Sequence, residues 1–296
     1  MEFKQELASY QEIINNELEK YLRKQECPEK VLNQSMEYSL MAGGKRLRPI
    51  LMLDVYKIFN QDYEPCMPYA VAMEMIHNFS LIHDDLPGID NDDFRHGKQT
   101  NLKKFNEATA ILAGDGLLNG AYQVLSKNIL EDQDESMQKQ KIQAFKELAD
   151  ATDRMIAGEY VDTEFEGKAI SSDYLEYIHK NKTGALLRAS ARIGAILANA
   201  PEKDLKKITK YAEIIGLTFQ IKDDILSAVG DEKILGKPVG NDAKRGKCTY
   251  VTKYGLETAE KMLEELTNEA VKIANSYSKK GEFIKNLAIY IETRIK

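Results

Sequence analysis

The sequence predicts an all-α protein on three grounds. Apolar residues recur at three- and four-residue steps over long stretches. Prolines stand where helices would start. No stretch alternates apolar and polar residues as a half-buried strand does. The connections between helical stretches are short and polar, which favours antiparallel neighbours in one bundle. They give no domain boundary, so residues 1–296 read as a single domain.

Taken in order, residues 4–25 form an amphipathic helix whose apolar stripe is Phe3, Leu7, Tyr10, Ile13, Ile14, Leu18 and Leu22. Pro28 starts a second helix running to Leu40, and Pro49 opens a third running to Phe59. Pro68 opens a fourth, which carries Glu74, His77 and Asp84 until Pro87 and Gly88 end or bulge it. Residues 89–106 are irregular, and helices follow at 107–129, 137–167, 171–199 and 202–228. Residues 131–141 make a surface turn. The segment 229–247 is rich in glycine and charge and reads as a loop, before helices resume at 255–277 and 280–295. There is no convincing strand pattern.

Composition narrows the function. The chain is 43% hydrophobic and 30% charged, as a globular soluble protein is. A net charge of −6 argues against a general nucleic-acid binder. Cys27, Cys66 and Cys248 are odd in number and have no paired spacing, which fits free thiols in a reducing, cytoplasmic setting. The N-terminus lacks a signal-peptide pattern, and the longest apolar run, 108–118, is too short and interrupted to cross a membrane.

The chemistry concentrates in residues 81–97. Five carboxylates (Asp84, Asp85, Asp90, Asp92 and Asp93) are followed at once by Arg95, Lys98, Lys103 and Lys104. Two like charges at ~4 Å cost about 1 kcal/mol in water and about 4 kcal/mol at an effective dielectric of 20. A cation therefore belongs there, unless the stretch is merely a solvated acidic turn. A second pair, Asp223 and Asp224, closes the apolar run that begins at Gly216, and Gly236, Lys237 and Asp242 follow it. Two such pairs suggest one site built by two helices, with acids holding hard divalent cations and basic residues holding the anion those cations bridge. Carboxylate-only ligands suit Mg²⁺, which shares its shell with water and substrate phosphates.

These motifs resemble the trans-isoprenyl diphosphate synthases, and among them the bacterial farnesyl diphosphate synthases. The resemblance spans about residues 41–254. It rests on Gly43-Gly44-Lys45-Arg46-Leu47-Arg48-Pro49, the first Asp motif, Lys182-Thr183-Gly184, Phe219-Gln220, Asp223-Asp224 and Gly236-Lys237, in that order. It implies a bundle of long helices around a deep central cavity, a homodimer, and three Mg²⁺ ions for which Mn²⁺ could substitute. The implied metal ligands are Asp84, Asp90 and Asp223, with Asp85, Asp224 and Asp242 ligating or supporting. Asp92 and Asp93 fit a solvated turn or helix cap equally well. The resemblance assigns Lys45, Arg48, His77 and His96 to isopentenyl diphosphate. Arg95, Lys182, Thr183, Gln220, Lys237 and Lys247 fall to the allylic diphosphate. His77, seven residues before Asp84, shares its helix face.

The implied reaction condenses isopentenyl diphosphate with dimethylallyl or geranyl diphosphate by ionisation, attack and proton loss. Phe79 and Ser80, on the helix before Asp84, would floor the tail cavity, and an aromatic there is associated with a farnesyl product. Departures exist: His96 stands where a second arginine is usual, Ser227 where a third Asp is, and Glu159 where a glutamine is. Gln99 and Leu102 replace a usual proline and histidine. A geranylgeranyl product, or a weakly active regulatory subunit of a heteromeric synthase, remains open on these departures.

Overall fold

The structure, a computed structural model, describes residues 2–22, 27–168, 170–229 and 248–295. These residues are predominantly helical, as expected, and they fall into two compact units. Residues 1–53 and 62–145 form one unit; residues 54–61 and 146–296 form the other.

The first unit begins with α1 (Glu2–Tyr21), which buries Leu7, Tyr10, Ile14 and Leu18 along one stripe. After α2 (Lys30–Leu40), helix α3 (Leu47–Phe59) belongs to this unit through Leu53. Helix α4 (Met67–Asp84) carries Pro68 in its first turn and is buried on nearly every side. Burying each Leu, Ile or Met side chain is worth roughly 1.5–3 kcal/mol, so α4 is firmly fixed against its neighbours. It packs on α6 (Glu107–Leu130) and α1, while α2 lies on α6. Between α4 and α6 stand a hairpin, β1 (Phe94–Arg95) with β2 (Lys98–Gln99), and the short α5 (Asn101–Lys104). The sequence offers no alternation in so short a hairpin. Its one signal is the turn: His96 and Gly97 both have positive φ, 52° and 75°, as a type I′ turn requires.

The second unit takes most of α7 (Glu135–Glu164) and then α8 (Ser172–Ile178). The single helix expected over 171–199 is interrupted by a π turn, His179–Thr183, before α9 (Gly184–Leu197). Inside it, the buried Asn181 donates from its side chain to the Tyr177 carbonyl at 2.8 Å, competing with the regular ladder. Helix α10 (Glu202–Val229) packs on α9 and on α12 (Leu256–Asn275). The short α11 (Tyr250–Tyr254) precedes α12, and α13 (Glu282–Thr293) ends the unit. Ile221, Ile225, Tyr250, Ala259 and Leu263 share one core cluster with Leu175. The expected loop at 229–247 lies, apart from Val229, outside the described residues. No described helix is long and apolar enough to cross a membrane.

Candidate active site

In the first unit, the Gly43-Gly44 turn has φ of 107° and 111°, values glycine adopts freely. Arg46 follows at φ 52° and is buried. Its guanidinium donates to Glu74 at 2.6 Å, to the Leu40 carbonyl at 2.5 Å and to Asn15 at 3.0 Å. Gln11 donates to the Lys45 carbonyl at 3.1 Å. The turn is thus tied to α1, α2 and α4 at once, which sets where Lys45 and Arg48 start. On the first turn of α3, Arg48 donates to His77 Nε2 at 3.1 Å. A guanidinium cannot accept, so the ring nitrogen does, and the imidazole is neutral. Burial first, and then the guanidinium charges of Arg48, Arg95 and Arg46, hold the His77 pKa well below its ordinary value. His96 is exposed on the hairpin turn. Its pKa is lowered by partial burial first, then by Arg95 and Arg46.

The Asp motif lies at the end of α4. Asp84 is its last residue, and Asp85 caps it. The Pro87-Gly88 turn folds back so that the Asp90 amide donates to the Asp84 carbonyl at 2.8 Å. That turn brings the Asp90 backbone beside that of Asp84. Asp85, expected either as a metal ligand or in support of one, is engaged by the protein itself. It is buried, and both its oxygens accept from Arg95, at 2.6, 2.9 and 3.1 Å. Burial pushes its carboxyl upward against the pull of that guanidinium. Asp93 pairs with Lys103 at 2.9 Å on the surface, which favours the solvated-turn alternative for it. Phe79 is buried and meets the His83 ring edge-on at 5.0 Å, while Ser80 donates to the His77 carbonyl.

In the second unit, Lys182 occupies the π turn, a feature frequent at functional sites. Its ammonium donates to Glu159 at 2.9 Å and Asp162 at 2.7 Å. Thr183 donates to Gln220 Oε1 at 3.1 Å, and Gln220 Nε2 donates to Asp224 at 2.9 Å. The other Asp224 oxygen accepts from the Tyr250 amide at 2.8 Å. Asp224, expected to ligate metal or support a ligand, is buried with both its oxygens engaged, orienting Gln220 and anchoring the start of α11. Asp223 is the more exposed member of the pair, 42% accessible, and accepts from Arg294 at 2.6 Å. Arg294 also donates to the Phe219 carbonyl and lies over the Phe219 ring, 4.2 Å from its centroid. Ser227 is buried. Lys237, Asp242 and Lys247 lie outside the described residues.

Among the described residues no three or more His, Cys, Asp or Glu gather into a cage for a metal ion. The donor chemistry still fits Mg²⁺, because that ion takes one or two carboxylates and completes its shell with water and phosphate oxygens. Sequence reasoning missed Arg46, Arg294, Asp162 and Tyr250. Glu74 carried a signal, as the one charged Asp, Glu, Lys or Arg of the run 67–82. Arg294 carried none.

The chain matches the polyprenyl synthetase family over residues 29–287. It is 40% identical to the farnesyl diphosphate synthase of Bacillus subtilis (strain 168), with 97% of each chain covered. It is 43% identical to a geranylgeranyl diphosphate synthase of Cyanophora paradoxa, covering 80% of this chain and 78% of that protein. Among solved structures, an FPP/GFPP synthase of Zymomonas mobilis in its apo form superposes with a TM-score of 0.86 at 31% identity, covering 99% of both chains.

Proposed function

The chain belongs to the polyprenyl synthetase family, and we propose that it is a Mg²⁺-dependent trans-prenyltransferase acting as one domain over residues 1–296. It condenses isopentenyl diphosphate with dimethylallyl or geranyl diphosphate, and farnesyl diphosphate is the product its curated relatives favour. The observation that carries this reading is the environment of His77. A neutral ring hydrogen-bonded to Arg48 and acted on by further cations is a place prepared for a polyanion.

Lys45, Arg48, His77 and His96 hold the isopentenyl diphosphate. Arg95, kept in place by Asp85, works with Lys182, Thr183, Gln220, Lys237 and Lys247 on the allylic diphosphate. Asp84, Asp90, Asp223 and Asp242 would hold Mg²⁺, while Asp85 and Asp224 brace the site. Bound Mg²⁺ supplies positive charge where the leaving diphosphate develops its negative charge. As the allylic carbon–oxygen bond breaks, the clamp cations take up the same charge. The double bond of isopentenyl diphosphate forms the new carbon–carbon bond, and the proton it then loses passes to the released diphosphate. No protein base is required. The reaction requires that water be kept from the allylic cation, which it would quench. The exposed Ile111 and Leu112 of α6 suit coverage by a second copy in a homodimer, and free cysteines suit a cytoplasmic setting.

The test is the purified chain with Mg²⁺, isopentenyl diphosphate and either allylic starter. Diphosphate release with a fifteen-carbon product is expected; no release from the chain alone would overturn the reading in favour of a regulatory subunit. Phe79→Ala should lengthen the product, because it removes the ring that His83 braces. An unchanged product from active enzyme would leave Phe79 a core residue only.

A further inference from the structure

Phe79 and His83 stand four residues apart on α4, so their side chains share one face. The two rings meet edge-on, with centroids 5.0 Å apart and planes at 80°. The His83 ring is itself held by α6. Its Nε2 lies 3.0 Å from the Ile111 carbonyl, which can only accept, so Nε2 carries a proton and donates. The Asp115 carboxylate stands 3.9 Å from the same nitrogen, beyond hydrogen-bond range, and is 59% exposed. The ring reaches the Ile111 carbonyl because position 114 is glycine. A Cβ there would fall 2.1 Å from Nε2 and 2.4 Å from Cδ2 of His83. Glycine inside a helix is destabilising relative to alanine, so its place in α6 calls for a packing reason, and the His83 imidazole supplies one. Phe79 has no polar atom to fix its rotamer. A neighbouring ring anchored on another helix decides where it rests.

We propose that His83 is a positioning residue that sets product length. Seated in the notch at Gly114 and bonded to the Ile111 carbonyl, it holds the Phe79 ring across the path of the growing tail. This rests on Phe79 being the floor of the tail cavity. His83 acts through Phe79 and not on the diphosphates, so the two residues should behave as one unit.

The experiment is product analysis of the full chain with Mg²⁺, isopentenyl diphosphate and geranyl diphosphate. His83→Gln keeps a donor for the Ile111 carbonyl but removes the ring. Gly114→Ala keeps the ring but pushes it out of the notch, while favouring the α6 helix. In both, the ratio of twenty-carbon to fifteen-carbon product should rise about fivefold, the scale of one lost ring pair. A loss of stability alone would lower activity without moving this ratio. Added to Phe79→Ala, neither substitution should lengthen the product further, because the ring it positions is gone. Calorimetric titration with geranylgeranyl and farnesyl diphosphates, which needs no turnover, should show the same shift in relative affinity. A fifteen-carbon product and unchanged relative affinity in both variants, while Phe79→Ala lengthens the product, would overturn the proposal and leave the floor standing. Further lengthening in the double variants would also overturn it, since His83 would then act apart from Phe79. If Phe79→Ala itself leaves the length unchanged, the floor assignment fails and the proposal fails with it.

Discussion

The two Asp-Asp pairs divide their work alike but are continued differently. In each, the second aspartate is buried with both oxygens engaged: Asp85 by Arg95, and Asp224 by Gln220 and the Tyr250 amide. In each, the first aspartate is the more accessible. After Asp85, however, the helix stops, and the Pro87-Gly88 turn folds Asp90 back onto the Asp84 carbonyl. After Asp224 the helix continues to Val229, and the residue four positions beyond Asp223 is the buried Ser227. One pair therefore has a third aspartate whose backbone its own turn brings close. The other has a hydroxyl in that register, and its leading carboxylate is held by Arg294. Adjacent identical residues thus acquire opposite tasks, because one points into packed structure and its neighbour does not.

The sharpest way to break the comparison is to remove the accessible members. Asp84→Ala and Asp223→Ala should each lower kcat/KM by about 10²-fold or more, several kcal/mol of lost transition-state stabilisation. Unchanged turnover in either would end the parallel. Removing the buried members should act on the fold first. Asp85→Asn leaves Arg95 facing a neutral amide and should cost about 2–3 kcal/mol of stability. Asp224→Asn, which loses an acceptor for an amide hydrogen bond, should cost about 1–2 kcal/mol. Thermal melting measures both. Their Mg²⁺ dependence should remain near wild type, and a shift as large as that of Asp84→Ala would return them to the metal ligands.

The smallest effect concerns His96. Partial burial and the cations Arg95 and Arg46 lower its pKa in the free protein, so the ring is neutral near pH 7. A bound diphosphate favours the protonated ring and raises that pKa. Binding then takes up a proton. Affinity for isopentenyl diphosphate should rise as pH falls from the raised bound-state pKa, and level off below the lowered free-state one. His96→Arg should flatten that curve and lower this KM severalfold, with little change for the allylic substrate. Superimposable KM–pH curves for the two proteins would mean His96 does not touch the substrate.

Much of the fold was legible because helical periodicity is local. The stripe of α1, the proline-started α4 and the long α10 can be read from spacing and flanking residues alone. The interruptions were not legible: a π turn and a two-residue hairpin involve too few residues to carry a period. At the site, residue types and motif order singled out the candidate side chains, since dense carboxylates and lysines require counter-charges wherever they fold. Partnership depended on the tertiary structure. That Arg46 finds Glu74, that Lys182 lies between Glu159 and Asp162, and that Arg294 returns to Asp223 are pairings of residues 20 to 71 positions apart. Such pairs have no fixed spacing, and helix packing alone decides which charge ends up beside which.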